Sequence, residues 1–372
     1  MRVVICGAGV IGAAAAYELS RRGLDVTVIE RWRVAGAASG KSGGFLARDW
    51  CRGTPLAPLA ERSFDLHTAW AQDLGEGYGY RRVDTFAVTL SDRRKRARTQ
   101  GVAGWLAPDI SDRSLIGNRD TTAQIDPEAF TRTLIEAASS RGTSLTIGTV
   151  AGIRRSRNGR RVEGVTLEDG RDVPADAVII TMGPWSVLAA RWLAMPAIYG
   201  LKGHSILFRP KAMLPSEAVF AEFEDADGEV YSPEIVPRAD GTLYVCGLSG
   251  SVPLPLDPSE VTPEPGGCEK LHAISERLVP ILGTAEVLAS QACHRPITAD
   301  GIPLIGPLSQ VAGAYVATGH SVWGMLNAPG TAEALGELIV GGRSQHLKLD
   351  AFLPSRLPAL DPKALSMGSN QA

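Results

Sequence analysis

Gly7, Gly9 and Gly12 form G-x-G-x-x-G directly after the apolar run at residues 3–6, and the acid Glu30 closes the next β-branched run at residues 25–29. Each residue type has a task at that spacing. Gly7 permits the tight turn from strand to helix, Gly9 leaves bare backbone for a pyrophosphate to approach, and Gly12 lets the helix lie close to the sheet. A helix is predicted from Ile11 to Arg22. Its unpaired N-terminal amides, with Val10 and Ile11 at the start, and its dipole make an anion site. Glu30, followed by Arg31, accepts hydrogen bonds from the hydroxyls of an unphosphorylated ribose and would repel a 2′-phosphate, which disfavours NADP.

Two further glycine-rich segments could meet the same ligand. Residues 35–51, AGAASGKSGGFLARDWC, place Ser39, Lys41, Ser42, Gly43 and Gly44 soon after the ribose acid. Small residues this dense either offer amide donors to a bound group or form a flexible surface loop. Near the other end, AYVATG predicts a strand, HSVWGMLNAPG a glycine-bearing turn and TAEALGELIVGG a helix ended by Gly341-Gly342. A strand, a glycine turn and a helix again aim amides at a ligand, here through Gly319, His320, Trp323, Gly324 and Met325. One pocket fed from both ends of the chain suits a long two-headed molecule better than NAD.

The elements that must hold these residues follow from periodicity. Residues 55–74 carry helical spacing, and 80–90 alternate as a strand. Asp126-Pro127 starts a helix over 127–140, with Asp126 as N-cap. Strands are predicted near 144–150, 161–167 and 177–182, with a hairpin signal at Asn158-Gly159, returning the chain to the nucleotide-binding sheet. Beyond residue 200, GHSILFRP, EVYSPEIVPR and TLYVCGLSG predict an antiparallel sheet, with turns at Asp227-Gly228 and Asp240-Gly241. Residues 251–267 are proline-rich and loop-like, a helix follows over 268–283, and the tail after Pro354 is predicted to be disordered.

The 372 residues can bury a full core and predict two domains at about one per 150 residues. With a net charge of −2 and 21% charged residues, the chain offers neither nucleic acid nor an anionic membrane an electrostatic partner. The short basic runs Arg93–Arg98 and Arg154–Arg161 read as solvated loops or hairpins. No apolar run is long enough to cross a membrane, and the first strand begins too early for a leader peptide. The five cysteines are scattered without metal-ligand spacing, so free thiols in a reducing cytoplasm and no metal are expected.

In GAGVIG at 7–12, Glu30, ASGKSGG at 38–44, GPW at 183–185, RPITADGIPLIG at 295–306 and ATGHSVWGMLNAPGTAEALGEL at 317–338, the chain resembles the FAD-dependent D-amino acid oxidase family, which includes glycine oxidase and sarcosine oxidase. The resemblance implies an α/β fold: a Rossmann-like FAD domain interleaved with an α+β substrate domain on a large, mainly antiparallel sheet. The boundaries it implies are 1–80, 122–200 and 290–345 for FAD, 81–121 and 201–289 for substrate, and 346–372 as a tail. It places Gly7, Gly9 and Gly12 on the pyrophosphate, and Ser39 with Lys41 to Gly44 along the diphosphate and flavin. Val150 would bind adenine through its backbone, Gly183 and Trp185 would join the cofactor set, and Gly319 to Met325 would meet the pyrimidine edge of the flavin.

For the reaction, Arg295 resembles the arginine that grips the substrate carboxylate, its alternative being a structural pair with Asp300 or a surface acid; Arg48 is second choice. His320 could give the flavin a hydrogen bond or positive charge, whereas His204 reads as structural. Cys293 stands where sarcosine oxidase-like members join sulfur to the flavin, or else is a small buried strand residue. Leu243 or Tyr244 falls where that branch carries a lysine that assists oxygen reduction, and Leu46 where it carries a carboxylate-binding arginine. The implied activity is oxidation of the C–N bond of a small amino acid or secondary amine, by hydride transfer to flavin N5 and hydrolysis of the imine, with electrons passing to oxygen or another acceptor. The alternatives are C–O oxidation of a 2-hydroxy acid, or a flavin-holding assembly protein without turnover. The substrate and oligomeric state stay open.

Overall fold

The pleat of the strand Arg2–Cys6 sends Val3 and Ile5 to one side and Val4 and Cys6 to the other, and each pair enters a separate core. The structure, a computed structural model, describes residues 1–93 and 104–367, so Arg94 to Arg98 of the first basic run lie outside the described residues. Arg2–Cys6 is central in a six-stranded sheet of order Leu304–Pro307, Ala314–Thr318, Ala177–Ile180, Arg2–Cys6, Asp25–Glu30 and Ser144–Ile147. All neighbours are parallel except the first pair. The longer helices are α1 (Val10–Arg21), α2 (Ala57–Leu74), α3 (Pro127–Ser139), α4 (Gly267–Leu278) and α5 (Gly324–Gly341).

α1 is buried nearly all round, its run Ala13 to Ala16 packing between the sheet and α3 and α5. Alanine allows that close approach, and Gly12 demands it: a Cβ there would lie 2.0 Å from the Gly7 carbonyl oxygen. α3 starts as predicted, with Asp126 Oδ1 accepting from the Ala129 amide at 2.8 Å. The opposite side of the sheet packs on a three-stranded antiparallel sheet of Val150–Arg155, Val162–Leu167 and Asp172–Pro174. The hairpin at Asn158-Gly159 therefore forms, but in this outer layer. The strand expected over 144–150 ends at Ile147, and Val150 opens the next one. The last bond of the pairing runs from the Gly148 amide to the Glu30 carbonyl at 2.8 Å, after which the chain leaves the sheet edge.

The second unit is an eight-stranded sheet. Its order is Glu286–Ile297, Tyr199–Arg209, Leu243–Gly250, Glu234–Pro237, Glu217–Glu224, Asp84–Ser91 and Asp112–Gly117, with Val230–Tyr231 beside Glu217–Glu224. It is antiparallel except where Glu217–Glu224 runs parallel to Asp84–Ser91. Residues 290–297, expected with the FAD unit, complete the long strand of this sheet. One face, with Ile206, Phe208, Val219, Ile235, Leu243 and Val245, packs against α4. Alternation leaves Ser205, Tyr244, Cys246, Glu234 and Phe220 on the other face.

Two sequence expectations fail for physical reasons. α5 begins at Gly324, so most of HSVWGMLNAPG is helix despite Pro329. Proline cannot donate to the carbonyl four residues back, and buried carbonyls need partners. His67 on α2 supplies one: its Nε2 donates to the Met325 and Leu326 carbonyls at 3.0 and 3.1 Å, while the Gly330 amide bonds Ser63 Oγ at 3.1 Å. The tail is likewise ordered through its described residues. Leu347 and Phe352 are buried, Leu357, Leu360 and Leu365 pack on the second core, and Arg356 grips Asp300 at 2.8 and 3.1 Å. A disorder signal from composition does not see partners that lie far away in sequence. Among the described residues no helix is long and apolar enough to cross a membrane.

Candidate active site

A cavity of about 510 Å³ lies where the carboxyl ends of the six-stranded sheet meet the inner face of the eight-stranded one. In open α/β sheets this is where ligands bind. Thr181 and Thr318 fasten the strand ends that form its floor. Thr181 Oγ1 donates to the Cys6 and Gly7 carbonyls at 2.9 and 3.1 Å, and Thr318 Oγ1 to the Gly183 carbonyl at 2.9 Å.

At the first end, Gly7, Gly9, Val10, Ile11, Glu30 and Arg31 all line the cavity. Gly7 has φ of 108°, in the region that favours glycine. Gly9 is extended, and a Cβ there would point at Ser39 Oγ, 3.1 Å away. Ser39 Oγ accepts from the Val10 amide at 2.8 Å. Glu30 accepts from the Ala8 amide at 2.7 Å and the Trp32 amide at 2.9 Å, which fixes both oxygens at the rim with lone pairs to spare. Burial pushes its carboxyl above the usual range, and those amides pull it back. Arg31 donates to the Leu256 carbonyl at 2.9 Å, and Val150, Gly183 and Trp185 complete this wall. Trp185 is anchored through Nε1 on the Pro255 carbonyl at 2.8 Å.

The second glycine segment is pinned, which removes the flexible-loop alternative. The Lys41 carbonyl accepts from Tyr244 Oη at 3.0 Å, the Ser42 carbonyl from Arg238 at 3.0 Å, and Lys41 Nζ donates to the Ala292 carbonyl at 3.0 Å. Arg238, not singled out in sequence, also pairs with Asp126 at 3.1 Å and so ties the loop to the start of α3. Ser42, Gly43 and Gly44 line the cavity. Lys41 itself does not, because its ammonium is turned onto the substrate-side strand. Gly12 and Gly319 also lie outside the lining and serve close packing, a Cβ on Gly319 meeting Thr298 Cγ2 at 2.7 Å.

At the other end α5 begins without a side-chain cap, after a turn in which Ser321 has φ of 51°, an uncommon conformation for serine. His320, Trp323, Gly324 and Met325 face the cavity. Burial lowers the His320 pKa to about 3, which favours the neutral ring over the option of positive charge. Its Nε2 lies 3.1 Å from Thr331 Oγ1, and its buried Nδ1 has no partner among the described residues.

Strand alternation assembles the substrate side. Arg295 and Cys293 line the cavity beside Gly203, Ser205, Tyr244, Cys246 and Glu234. The Arg295 guanidinium lies over Gly203, where a Cβ would approach it to 3.0 Å, and donates to Ser249 Oγ at 2.9 Å. No carboxylate within the described residues forms a salt bridge with it, and Asp300 is taken by Arg356. Arg48 is not part of this site. It follows the short strand Phe45–Ala47 and pairs with Asp65 of α2 at 3.2 Å, outside the cavity. His204 is held at both nitrogens, by the Leu248 carbonyl at 2.8 Å and the Glu264 amide at 3.0 Å, as suits a structural residue. Burial raises the Cys293 thiol despite Arg295 and Lys41 nearby. Glu234, Cys246, Phe45, Trp50 and Phe220 were missed in sequence; the one available signal was a lone acid in the apolar run around IVP.

The residues fit FAD. Two helix starts open on one cavity, a fixed acid stands at one end, bare glycine backbone lines the path, and the orphaned Nδ1 of His320 waits at the other end. Glu333 and Glu337 of α5 form a separate polar cluster with His346, but Glu333 is engaged by Arg62 and Glu337 caps residues 344–346. A family model described as FAD dependent oxidoreductase matches residues 2–338. A Schizosaccharomyces pombe protein described only as an oxidoreductase is 30% identical, over 95% of this chain and 97% of its own. Glycine oxidase from Geobacillus kaustophilus is 29% identical over 91% of this chain and 92% of its own. The crystal structure of glycine oxidase from that organism superposes with a TM-score of 0.80 at 27% identity, covering 95% of this chain and 99% of that one. The chain therefore belongs to the FAD-dependent oxidoreductase family typified by D-amino acid oxidase, and it is an FAD enzyme.

Proposed function

We propose that the protein oxidises the C–N bond of a small amino acid or secondary amine. The observation that carries this reading is Arg295, a guanidinium in the cavity wall, braced by Ser249 Oγ and free of any salt-bridged carboxylate among the described residues. A guanidinium fork matches a carboxylate bidentately, which orients the adjoining Cα–H. Glycine oxidases among the relatives support the substrate class. When bound, FAD supplies the two-electron acceptor for the C–H bond next to nitrogen. The chain's own part is to hold the substrate carboxylate on Arg295, to offer the amides at the start of α5 as positive potential, and to keep His320 neutral with a free Nδ1. Water that enters the cavity hydrolyses the released imine.

No lysine lines the cavity among the described residues, so the expected result is faster turnover with a dye acceptor than with oxygen. The test is anaerobic flavin bleaching on a panel of amino acids, N-methyl amino acids and 2-hydroxy acids. Amino acids or N-methyl amino acids bleach the flavin, and Arg295→Met lowers kcat/KM about 100-fold, roughly 3 kcal/mol. Bleaching by hydroxy acids alone would refute the reading.

A further inference from the structure

Opposite Arg295 on the same sheet face stands an acid that the oxidation chemistry leaves unassigned. Register sets Phe220 beside Glu234, Glu234 beside Cys246, and Cys246 beside Ser205, a row running toward the strand of Arg295. Phe220, Glu234, Cys246, Ser205 and Arg295 all line the cavity. The only protein hydrogen bond to the Glu234 carboxylate among the described residues is the weak one from Cys246 Sγ at 3.6 Å. Beside it Phe45, Trp50 and Phe220 form a closed trio with ring centroids 5.1, 4.9 and 4.8 Å apart. All three rings also line the cavity.

A carboxylate in such a setting is costly without a cation, and aromatic faces attract cations, quaternary ammonium above all. We infer that Glu234 and the Phe45, Trp50 and Phe220 rings bind the cationic nitrogen of a zwitterionic substrate whose carboxylate lies on Arg295. This rests on the amino-acid reading above and deepens it: the substrate enters as the dipolar ion, and uncharged amines and plain carboxylates are poor ligands. Burial pushes the Glu234 carboxyl up while Arg295 pulls it down, and a ligand cation adds to the second effect. Arg295 and Glu234 then read the two charges of one small molecule from one sheet face.

The test uses the holoenzyme and two probes of one shape, trimethylglycine and 3,3-dimethylbutanoate, which differ by a cationic nitrogen in place of carbon. Binding is read from the flavin difference spectrum and by calorimetry, independently of turnover. The expected result is a preference of about tenfold or more for the zwitterion, about 1.4 kcal/mol or more. Glu234→Gln removes that preference while flavin content and melting temperature stay those of the parent. Phe220→Leu, which leaves the charge in place, weakens the preference severalfold and covers the case in which Glu234→Gln does not fold. Equal binding of the two probes, binding of neither, or an unaltered preference in Glu234→Gln overturns the inference. A holoenzyme bleached by amino acids yet blind to the probe charge would sink this inference alone, whereas one bleached only by hydroxy acids would sink the oxidation reading.

Discussion

Replacing His67 by glutamine tests whether a buried neutral imidazole holds the start of α5 together. His67 is fully buried, its Nε2 donates to two carbonyls of α5, and its Nδ1 has no partner among the described residues. Protonating Nδ1 would therefore bury an uncompensated charge, and desolvation lowers the pKa to about 4 from an ordinary 6.5. The sign follows from linkage. The unfolded chain takes up a proton near pH 6.5 and the folded chain does so only near pH 4, so stability is full above pH 7 and falls with acidification across that window. Between pH 7.5 and 4.5 this one group removes about 2.5 kcal/mol. Glutamine keeps an N–H donor but does not titrate. At pH 7.5 the variant is less stable by about 1–3 kcal/mol, from poorer hydrogen bonds and lost ring packing. By pH 4.5 that gap closes or reverses, since other titrating groups, His320 included, are shared by both proteins. Urea midpoints from tryptophan fluorescence, with saturating FAD at each pH, give the difference curve. Parallel curves for the two proteins would refute a neutral, hydrogen-bonded His67.

Gly9→Ala and Gly12→Ala separate ligand contact from packing. The first leaves a folded protein with FAD affinity lowered about tenfold or more, because its Cβ presses on Ser39 Oγ at 3.1 Å, the atom that holds the Val10 amide at the cavity wall. The second places a Cβ 2.0 Å from the Gly7 carbonyl oxygen and costs ~3 kcal/mol or more, visible as insoluble or early-melting protein. We propose that Cys293 does not tether the cofactor, because burial keeps its thiol neutral and the thiolate is the reactive form. Acid precipitation should leave the yellow colour in the supernatant, and colour in the pellet that Cys293→Ser abolishes would contradict this. Arg356→Ala frees Asp300 and the Ile302 carbonyl, loosening the C-terminal segment by about 1 kcal/mol; limited proteolysis beyond residue 341 should quicken while FAD binding persists.

The local chain determined the parts of this protein that are single backbone turns. G-x-G-x-x-G after a buried strand, with Glu30 closing the next one, encodes a strand–turn–helix unit whose positive φ at Gly7 and close contact at Gly12 favour glycine, so three residues sufficed to place that turn. Asp126 as N-cap and the Asn158-Gly159 hairpin were legible for the same reason. Pairings between distant segments were not. The helix through Pro329 exists because His67 and Ser63, far earlier in the chain, meet its broken bonds. Arg48, near a glycine loop in sequence, faces Asp65 and solvent, while Glu234, unremarkable in sequence, faces the cavity because its strand lies between Phe220 and Cys246. Spacing within a turn is set by covalent geometry and can be read residue by residue. Which strand lies beside which is set by burial of whole faces, and that is decided only when the two sheets close on each other.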